Sequence, residues 1–319
     1  MLRCLVFLSA CTTSTPPSTP VPASCPSDVS SIGRPVGKQE FHDGFLVVAA
    51  SQDGCTIATR DFHQLVVSWD AGKTFSTMTI EVAWFAVADG RVVVLRKDGL
   101  LGTFTPMRGP VWRTVPVTPT RVFAAGHDTV VVQVDPPKIA YSSDEGQHWS
   151  ALSSPVQSIG DASLDRKGVL TISEPIHGPV VPGSGCDPEV IGWKRFDSSL
   201  AKPHWITTPT PAWSYEESSE HTCDHFSHSF VVAIRDGKST NVSGMHRVQV
   251  DGPIWVEGNY GMWDGALYRL RDGVAEKAAA VPFVSLEPGV VDGNGNLLAT
   301  SGAMLVRWSP RGGWRILFP

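Results

Sequence analysis

The sequence predicts an all-β protein, and three features of its 319 residues carry that prediction. Only 18% of the residues are charged, while Gly, Pro and Trp are abundant at 30, 25 and 11 residues, which suits short strands joined by tight turns. The dipeptide Asp-Gly, a strong hairpin signal, recurs from positions 43–44 to 292–293. Between these turns lie β-branched runs such as 92–95 and 130–134, and no long amphipathic helical pattern competes with them.

An eight-residue pattern recurs along the chain at a regular spacing. Residues 68–75 (SWDAGKTF) match residues 142–149 (SSDEGQHW) as Ser-x-Asp-x-Gly-x-x-aromatic, with an offset of 74 residues. Half of that offset locates a decayed copy in which Met107 replaces the Asp while Gly109 and Trp112 keep their positions. A degenerate copy spans 308–314. A unit of about 37 residues is long enough for four short strands, which is one blade of a β-propeller.

Residues 41–319 are therefore predicted to form a single β-propeller. Division of this region into units of about 37 to 40 residues gives seven four-stranded blades. Their predicted bounds are 42–81, 82–117, 118–155, 156–209, 210–250, 251–281 and 282–319. Six blades with one large insertion are the alternative.

The octapeptides resemble the Asp boxes of sialidases, xyloglucan-degrading hydrolases, sortilin-type receptors and a photosystem II assembly factor. The resemblance implies a hairpin turn between the third and fourth strands of a blade. In that turn the Asp accepts backbone N–H groups, the Gly takes a positive φ and the aromatic ring packs between blades. It therefore implies a structural, not a catalytic, role for Ser68, Asp70, Gly72, Phe75, Ser142, Asp144, Gly146 and Trp149.

The N-terminus is predicted to be a signal peptide followed by a tether. Residues 1–3 give a minimal basic region, 4–8 a short apolar core, and the run Leu-Ser-Ala-Cys ending at Cys11 resembles a bacterial lipobox. The resemblance implies that Cys11 carries a lipid and that the protein sits in the bacterial cell envelope. The absence of Asp after Cys11 favours the outer membrane, and an ordinary signal peptide is the alternative. Residues 12–40, rich in Ser, Thr and Pro, read as an extended tether.

Cysteine usage predicts disulfides. Six cysteines are present, and removal of Cys4 with the signal and of Cys11 as the lipid site leaves an even four in an oxidising compartment. Three pairings are possible, and the cost of loop closure favours Cys25–Cys55 and Cys186–Cys223. Free buried thiols are the alternative.

Two irregular segments predict where a ligand would bind. Residues 174–189 read as a Gly/Pro-rich loop between the second and third strands of the fourth blade, and residues 209–226 as a long loop that leaves that blade. Such connections emerge on the same face of a propeller, where a Cys186–Cys223 bridge would join them. The candidate ligand residues are Trp213, Tyr215, Glu217, His221, His225 and His228.

The histidines of this segment allow two interpretations. His221 and His225 flank Cys223 at alternating positions, so in an extended segment all three point the same way. They could bind a metal together with a carboxylate or His228, or they could belong to a polar surface loop in which Cys223 forms the disulfide. No recognised metal-binding spacing is present, so neither a metal nor another cofactor is predicted.

The leading function predicted is a non-catalytic, envelope-anchored lipoprotein that binds a protein or glycan partner or assists assembly, acting as a monomer. The photosystem assembly factor has the same plan of lipid anchor and Asp-box propeller. A net charge of −5 without a Lys/Arg-rich run argues against nucleic-acid binding.

The alternative function is a sialidase-like glycoside hydrolase. That chemistry needs an arginine triad, a Tyr nucleophile with a Glu partner and an Asp acid/base. The segment nearest to the family's Arg-Ile-Pro motif is Ile-Gly-Arg-Pro at 32–35, which contains Arg34. The corresponding nucleophile pair would be Tyr215 with Glu216 or Glu217.

Overall fold

Short β-branched runs separated by tight turns fold into antiparallel hairpins, which a computed structural model of the chain arranges into seven sheets. The structure describes residues 25, 34–35, 47–60, 64–88, 90–125, 128–134, 138–157, 159, 161–165, 167–177, 190–208, 214–221, 227–235, 238–239, 248–250, 255–257, 259–283 and 286–319. Among these residues, no helix has the length and apolar character needed to cross a membrane.

The first strand and the first three blades run in chain order. Strand β1 (Arg34–Pro35) precedes them. Blade 1 contains β2 (Val47–Ala50), β3 (Ile57–Arg60), β4 (Gln64–Ser68) and β5 (Ser76–Thr79). Blade 2 contains β6 (Val82–Ala88), β7 (Arg91–Arg96), β8 (Leu100–Thr105) and β9 (Arg108–Thr114). Blade 3 contains β10 (Pro119–Ala125), β11 (Thr129–Val134), β12 (Lys138–Ser142) and β13 (Ser150–Ser153).

The remaining four blades follow the same order. Blade 4 contains β14 (Asp161–Leu164), β15 (Val169–His177), β16 (Val190–Ser199) and β17 (Trp205–Thr208). Blade 5 contains β18 (Ser214–His221), β19 (Ser227–Arg235), β20 (Lys238–Ser239) and β21 (Val248–Val250), the last two both paired with β19. Blade 6 contains β22 (Trp255–Glu257), β23 (Tyr260–Trp263), β24 (Ala266–Arg271) and β25 (Val274–Ala280). Blade 7 contains β26 (Glu287–Val291), β27 (Leu297–Ser301), β28 (Met304–Ser309) and β29 (Gly313–Phe318).

The first strand of each blade is the innermost, because the first strands of neighbouring blades contact one another, as β6 does with β10 and β26 with β2. The described strands form six sheets of four strands and one of five. The prediction of an all-β protein with a single propeller is confirmed, and each predicted blade segment contains four strands of one of the seven sheets.

The hydrophobic core lies between the blades. The middle strands are covered on both faces, so β27 and β28 are buried along their whole length and β7 is buried except at its last residue. This explains why their sequences read as continuous apolar runs without alternation. One core cluster joins blades 2 and 3 around Val93 and Val130, and another joins blades 7 and 1 around Leu298 and Ile57.

The predicted tether is attached to the propeller at two points. Cys25 forms a disulfide with Cys55, as predicted, with a Cα–Cα distance of 5.5 Å. Arg34 and Pro35 pair with Ile316 and Arg315, so that β1 becomes the fifth and outermost strand of blade 7. The second predicted pair, Cys186 and Cys223, lies outside the described residues, as does Cys11.

One predicted loop is a strand over most of its length. Residues 209–226 were expected to form a long connection, but residues 214–221 form β18, the innermost strand of blade 5, which pairs along its length with β19. The expectation failed because the sequence SYEESSEH has no apolar alternation. Its strand conformation comes from pairing with the apolar β19, that is, from tertiary context rather than from local propensity.

Candidate functional site

The two octapeptides, residues 68–75 and 142–149, form the same hydrogen-bonded turn between the third and fourth strands of blades 1 and 3. In the first, Asp70 Oδ1 accepts the backbone N–H groups of Lys73 at 3.1 Å and Thr74 at 2.9 Å. In the second, Asp144 Oδ1 accepts the N–H groups of Gln147 and His148 at the same two distances. Each turn also places its Ser hydroxyl on the same carboxylate oxygen, at 2.9 and 2.8 Å.

These hydrogen bonds favour the ionised carboxylates. Burial opposes ionisation of Asp70, but hydrogen bonds from Thr74, Ser68 and Lys73 outweigh it and lower the pKa of this carboxyl. The backbone N–H and the ring of His148, together with Ser142, hold the pKa of Asp144 well below its usual range. Both carboxylates are committed to their own turns, which is a structural arrangement and not that of a general acid.

The octapeptide turns also clamp neighbouring blades together. Gly72 and Gly146 have φ values of +89° and +82°. A Cβ on Gly72 would meet Leu317 of blade 7 at 3.0 Å, and one on Gly146 would meet Leu101 of blade 2 at 3.5 Å. The Phe75 ring packs on Phe318 of blade 7, with ring centroids 5.1 Å apart. Trp149, the corresponding aromatic residue of the second octapeptide, packs against the core cluster between blades 2 and 3.

A third octapeptide, which the sequence analysis missed, lies in blade 4. Residues 198–205 (SSLAKPHW) match 142–149 (SSDEGQHW) at both Ser positions and at His-Trp. The first Ser is buried in both segments, and Ser198 Oγ accepts the N–H of His204 at 3.1 Å. Trp205 Nε1 donates to Ser153 O of blade 3 at 2.7 Å, so the aromatic residue again ties a blade to its predecessor.

The two weaker copies have different outcomes. The copy expected around Met107 does not form the octapeptide turn. Gly109 and Trp112 lie within strand β9, and a tighter turn joins β8 to β9. The C-terminal copy keeps part of the arrangement. Ser309 Oγ accepts the N–H of Gly312 at 2.9 Å, and Trp314 Nε1 donates to Ala280 O of blade 6 at 2.9 Å.

The missed copy also locates extra chain in blade 4. Ser142 and Ser198 are 56 residues apart, whereas the repeat has about 37 residues per blade. The additional length lies between β15 and β16. We call the outer part of this hairpin, residues 174–177 of β15 and 190–194 of β16, the blade-4 arm.

The blade-4 arm extends past its neighbours in the sheet. Strand β14 pairs only with residues 170–173 of β15, and β17 pairs only with residues 195–198 of β16. Beyond these, the described ladder joins β15 to β16 alone, from Glu174 opposite Lys194 to His177 opposite Val190. Lys194 Nζ lies 3.6 Å from Glu174 Oε2, so an ion pair marks the base of the arm.

The arm belongs to the face that we call the connection face, defined by the links from second to third strands and from blade to blade. Antiparallel order places the links from first to second and from third to fourth strands, including both octapeptide turns, on the opposite face, the turn face. The strand order therefore places residues 174–177 on the connection face, where the ligand-binding loop was predicted, as strand and not as loop, while residues 178–189 lie outside the described residues.

The strand order does not support the second half of that prediction. Cys223 and His225 were expected on the same face as Cys186, yet β18, which ends at His221, and β19, which begins at Ser227, are the first and second strands of blade 5. Both cysteines and His225 lie outside the described residues, so their placement and the Cys186–Cys223 pair stay predictions.

The candidate ligand residues are distributed along the β18–β19 hairpin. Glu217 pairs with Val231, His221 with Ser227 and His228 with Glu220, while Trp213 and His225 lie outside the described residues. Among the side chains that the structure describes, no group of three or more His, Cys, Asp or Glu could hold a metal ion. The metal site at His221 and His225 stays untested.

Tyr215 and Arg34, two residues on which the hydrolase alternative depends, are held in structural positions. Tyr215 Oη accepts the N–H of Gly273 of blade 6 at 2.5 Å, and burial raises the pKa of this phenol, which disfavours a nucleophilic phenolate. Arg34 lies in β1 at the outer edge of blade 7, away from the innermost strands that surround the axis. Both observations argue against sialidase-like chemistry at these residues.

A cleft between blades 1 and 2 is a weaker candidate. It has a volume of about 260 Å³ and is lined by Thr79, Ile80, Glu81, Arg96, Lys97 and Asp98. Arg96 is already engaged, because its guanidinium lies 2.6 Å from Asp98 Oδ2 and 5.0 Å from the ring centre of Trp112. With two acidic and two basic side chains, the cleft offers no net charge to a ligand.

Comparison with known proteins supports the fold. No protein-family model matches the chain, and no curated protein matches it. Among solved structures, the chain is similar to YCF48 bound to D1 peptide, with 13% identity and a TM-score of 0.53 over 87% of this chain and 97% of that one. It is also similar to YCF48 from Cyanidioschyzon merolae, with 13% identity and a TM-score of 0.50 over 87% of this chain and 98% of that one. At this identity the similarity shows the β-propeller fold.

Proposed function

We propose that this chain is a non-catalytic binding propeller of the bacterial cell envelope, anchored through a lipid on Cys11, that engages a protein partner through the blade-4 arm. The observation that carries the proposal is the arm itself. In a fold built of repeats, residues inserted into one unit are commonly found on the binding face.

The chemistry of the other candidate residues supports a binding role over catalysis. The carboxylates of Asp70 and Asp144 are bound within their own turns, and the hydroxyl of Tyr215 is bound to a backbone N–H. A general acid or nucleophile needs a free polar atom that faces a substrate. The similar fold of YCF48 bound to D1 peptide is consistent with a propeller that takes a polypeptide ligand.

Site-specific photo-crosslinking in living cells tests the binding face. A crosslinking amino acid is placed at His177, an exposed residue of the arm, and in a matched control at Lys73, an exposed residue of the turn face. We expect a discrete protein adduct from position 177 that is absent from position 73. Adducts shared by both positions, or none from position 177, would contradict the proposal.

A shortened arm tests whether binding and folding separate. Residues 175–193 are replaced by Asn-Gly, so that Glu174 and Lys194 flank a two-residue hairpin turn. Both this protein and its control carry Cys223→Ser, because the deletion removes Cys186. We expect loss of the adduct, probed from a crosslinker at Thr207, an exposed residue near the connection-face end of β17, with an unchanged melting temperature. An intact adduct would show that the arm is not the docking element.

Fractionation tests the anchor separately. The wild-type protein should stay with the membrane through a high-salt wash and leave it with detergent, and Cys11→Ser should be released without detergent. Density separation of the two membranes then tests the proposed outer-membrane location. Release of the wild type by salt alone would contradict the lipid anchor, and it would not bear on the proposed binding face.

A further inference from the structure

The Cys25–Cys55 disulfide lies where the propeller ring closes. Cys55 is in the turn between β2 and β3 of blade 1, and the chain that leaves Cys25 supplies β1 to the outer edge of blade 7 before it returns to blade 1 as β2. Blade 7 is otherwise built entirely from the C-terminus. The N-terminal segment therefore touches both blades that meet at the junction of the two chain ends, which we call the closing seam.

The rest of the closing seam is noncovalent and centres on the same turn. Asn294 Nδ2 of blade 7 donates to Asp53 O at 2.9 Å, and a Cβ on Gly54 would lie 2.6 Å from Asp292 Oδ2. The backbone of Cys55 is fixed on both sides. Its N–H donates to Asp53 Oδ1 at 2.9 Å, and its carbonyl accepts the N–H of Ala71, in the first octapeptide, at 2.8 Å.

We propose that the Cys25–Cys55 disulfide is a redox-controlled latch on the closing seam. When it is closed, it holds the segment that carries β1 against blade 1 while β1 pairs with blade 7. When it is open, β1 is held, among the described residues, by its two-residue pairing with β29, so it detaches and the seam between blades 7 and 1 loosens. The other blade junctions stay closed. This inference does not depend on the proposed binding partner.

The opening reaction is thiol–disulfide exchange with a dithiol reductant. One thiolate of the reductant attacks a sulfur of the pair, the S–S bond breaks, and the departing Cys thiolate takes up a proton. The second thiol of the reductant then attacks the mixed disulfide and releases the other Cys as a thiol. Two electrons and two protons pass from the dithiol, which becomes a cyclic disulfide, to the two cysteines. Both Cys25 and Cys55 are half-buried, so a small dithiol can reach them.

The junction of blades 2 and 3 is a built-in control. It carries the same octapeptide turn, with Glu145 N–H donating to Asp128 O at 2.9 Å, as Ala71 N–H donates to Cys55 O at the closing seam. It also has a buried arginine, Arg91, that donates to Thr129 O across the junction, as Arg307 does to Ala71 O at the closing seam. No disulfide spans this junction among the described residues.

Hydrogen exchange on the folded full-length protein, with and without a dithiol such as dithiothreitol, tests the latch. We expect reduction to speed exchange at least about tenfold in residues 68–75, 292–296 and 313–318, and to leave residues 142–149 unchanged. Reoxidation should restore the slow rates. Equal acceleration at both junctions would indicate general destabilisation, and no acceleration would show that the disulfide does not close the ring; either result would overturn the proposal.

Cys25→Ser separates the latch from other effects of the reductant. It should reproduce the fast exchange at the closing seam without any reductant and should not respond further to dithiothreitol. The loop between the two cysteines has 30 residues of separation, for which a melting temperature lower by roughly 5 to 10 °C is expected. An exchange pattern in Cys25→Ser that equals the oxidised wild type would refute the latch, and reduction of the native protein gives the answer even if a serine variant folds poorly.

Discussion

Gly293→Ala is expected to strain the closing seam, because the position has no room for a methyl group. Gly293 lies in the turn between β26 and β27, and an added Cβ would be 2.1 Å from the backbone carbonyl oxygen of Gln52 in blade 1. Ordinary contact begins at 3.4 Å, so the two turns would have to separate by more than 1 Å. Neither atom belongs to a flexible side chain. We therefore expect the upper part of the overpacking range, about 2 to 3 kcal/mol of lost unfolding free energy.

Denaturant unfolding and thermal melting measure this loss, which corresponds to a melting temperature lower by roughly 3 to 5 °C. Gly109→Ala is the matched control. Gly109 has no atom within 4 Å of its added Cβ and no positive φ, so a change of about 0.5 kcal/mol or less is expected. If Gly293→Ala is as stable as Gly109→Ala, the two turns are not in rigid contact and the description of the closing seam is wrong.

Three further predictions concern the octapeptide turns and their degenerate copies in blades 4 and 7. The pKa of Asp144 is lower in the folded protein than in the unfolded chain, where it is about 3.9. Its carboxylate therefore stabilises the fold above about pH 3.9 and loses that contribution as pH falls through the folded pKa. The difference in unfolding free energy between wild type and Asp144→Asn, measured by denaturant unfolding at a series of acidic pH values, should narrow towards about pH 2. Trp314→Phe keeps an aromatic ring but removes the indole N–H that donates to Ala280 O, and chemical denaturation should show a loss of at least about 1 kcal/mol of unfolding free energy. No loss would mean that this hydrogen bond between blades 6 and 7 is absent in solution. Leu200→Asp restores the Asp of the octapeptide pattern in blade 4, where Lys202 still replaces the Gly. It should nevertheless cost about 3 kcal/mol or more of unfolding free energy, because Leu200 packs in the core between blades 3 and 4; a gain in stability would contradict that packing.

The sequence predicted the blades well because their signals are local. Asp-Gly dipeptides occur in five of the seven predicted blade segments, β-branched runs mark several strands, and two intact octapeptides gave the spacing of about 37 residues. The copy in blade 4 could not be predicted from the 37-residue spacing, because the extra residues of the blade-4 arm shift it along the sequence. The Asp that defines the pattern is replaced by Leu200, which the core accepts because its neighbours there are apolar.

The second predicted loop was wrong over residues 214–221 for a related reason. The sequence of β18 carries Ser and Glu where a half-buried strand would alternate, so its strand conformation is visible only through its register with β19. Because β18 is the first strand of blade 5, Tyr215 and Glu217 lie in the innermost strand of that blade and not in a loop that leaves blade 4. A single uncounted strand therefore changed the structural setting of two candidate residues.

The departures from the repeat differ in what replaces the lost contacts, and this difference singles out the blade-4 arm. Where an octapeptide has decayed, a Trp donates across the same kind of junction, as Trp205 does to blade 3 and Trp314 to blade 6. Where the ring must close, β1 and a disulfide add contacts between blades 7 and 1. These departures all maintain packing between blades. In the arm, by contrast, the described ladder and the Glu174–Lys194 ion pair join only the two strands of one hairpin. A hairpin lengthened at the connection face is the kind of insertion that serves binding in folds built of repeats.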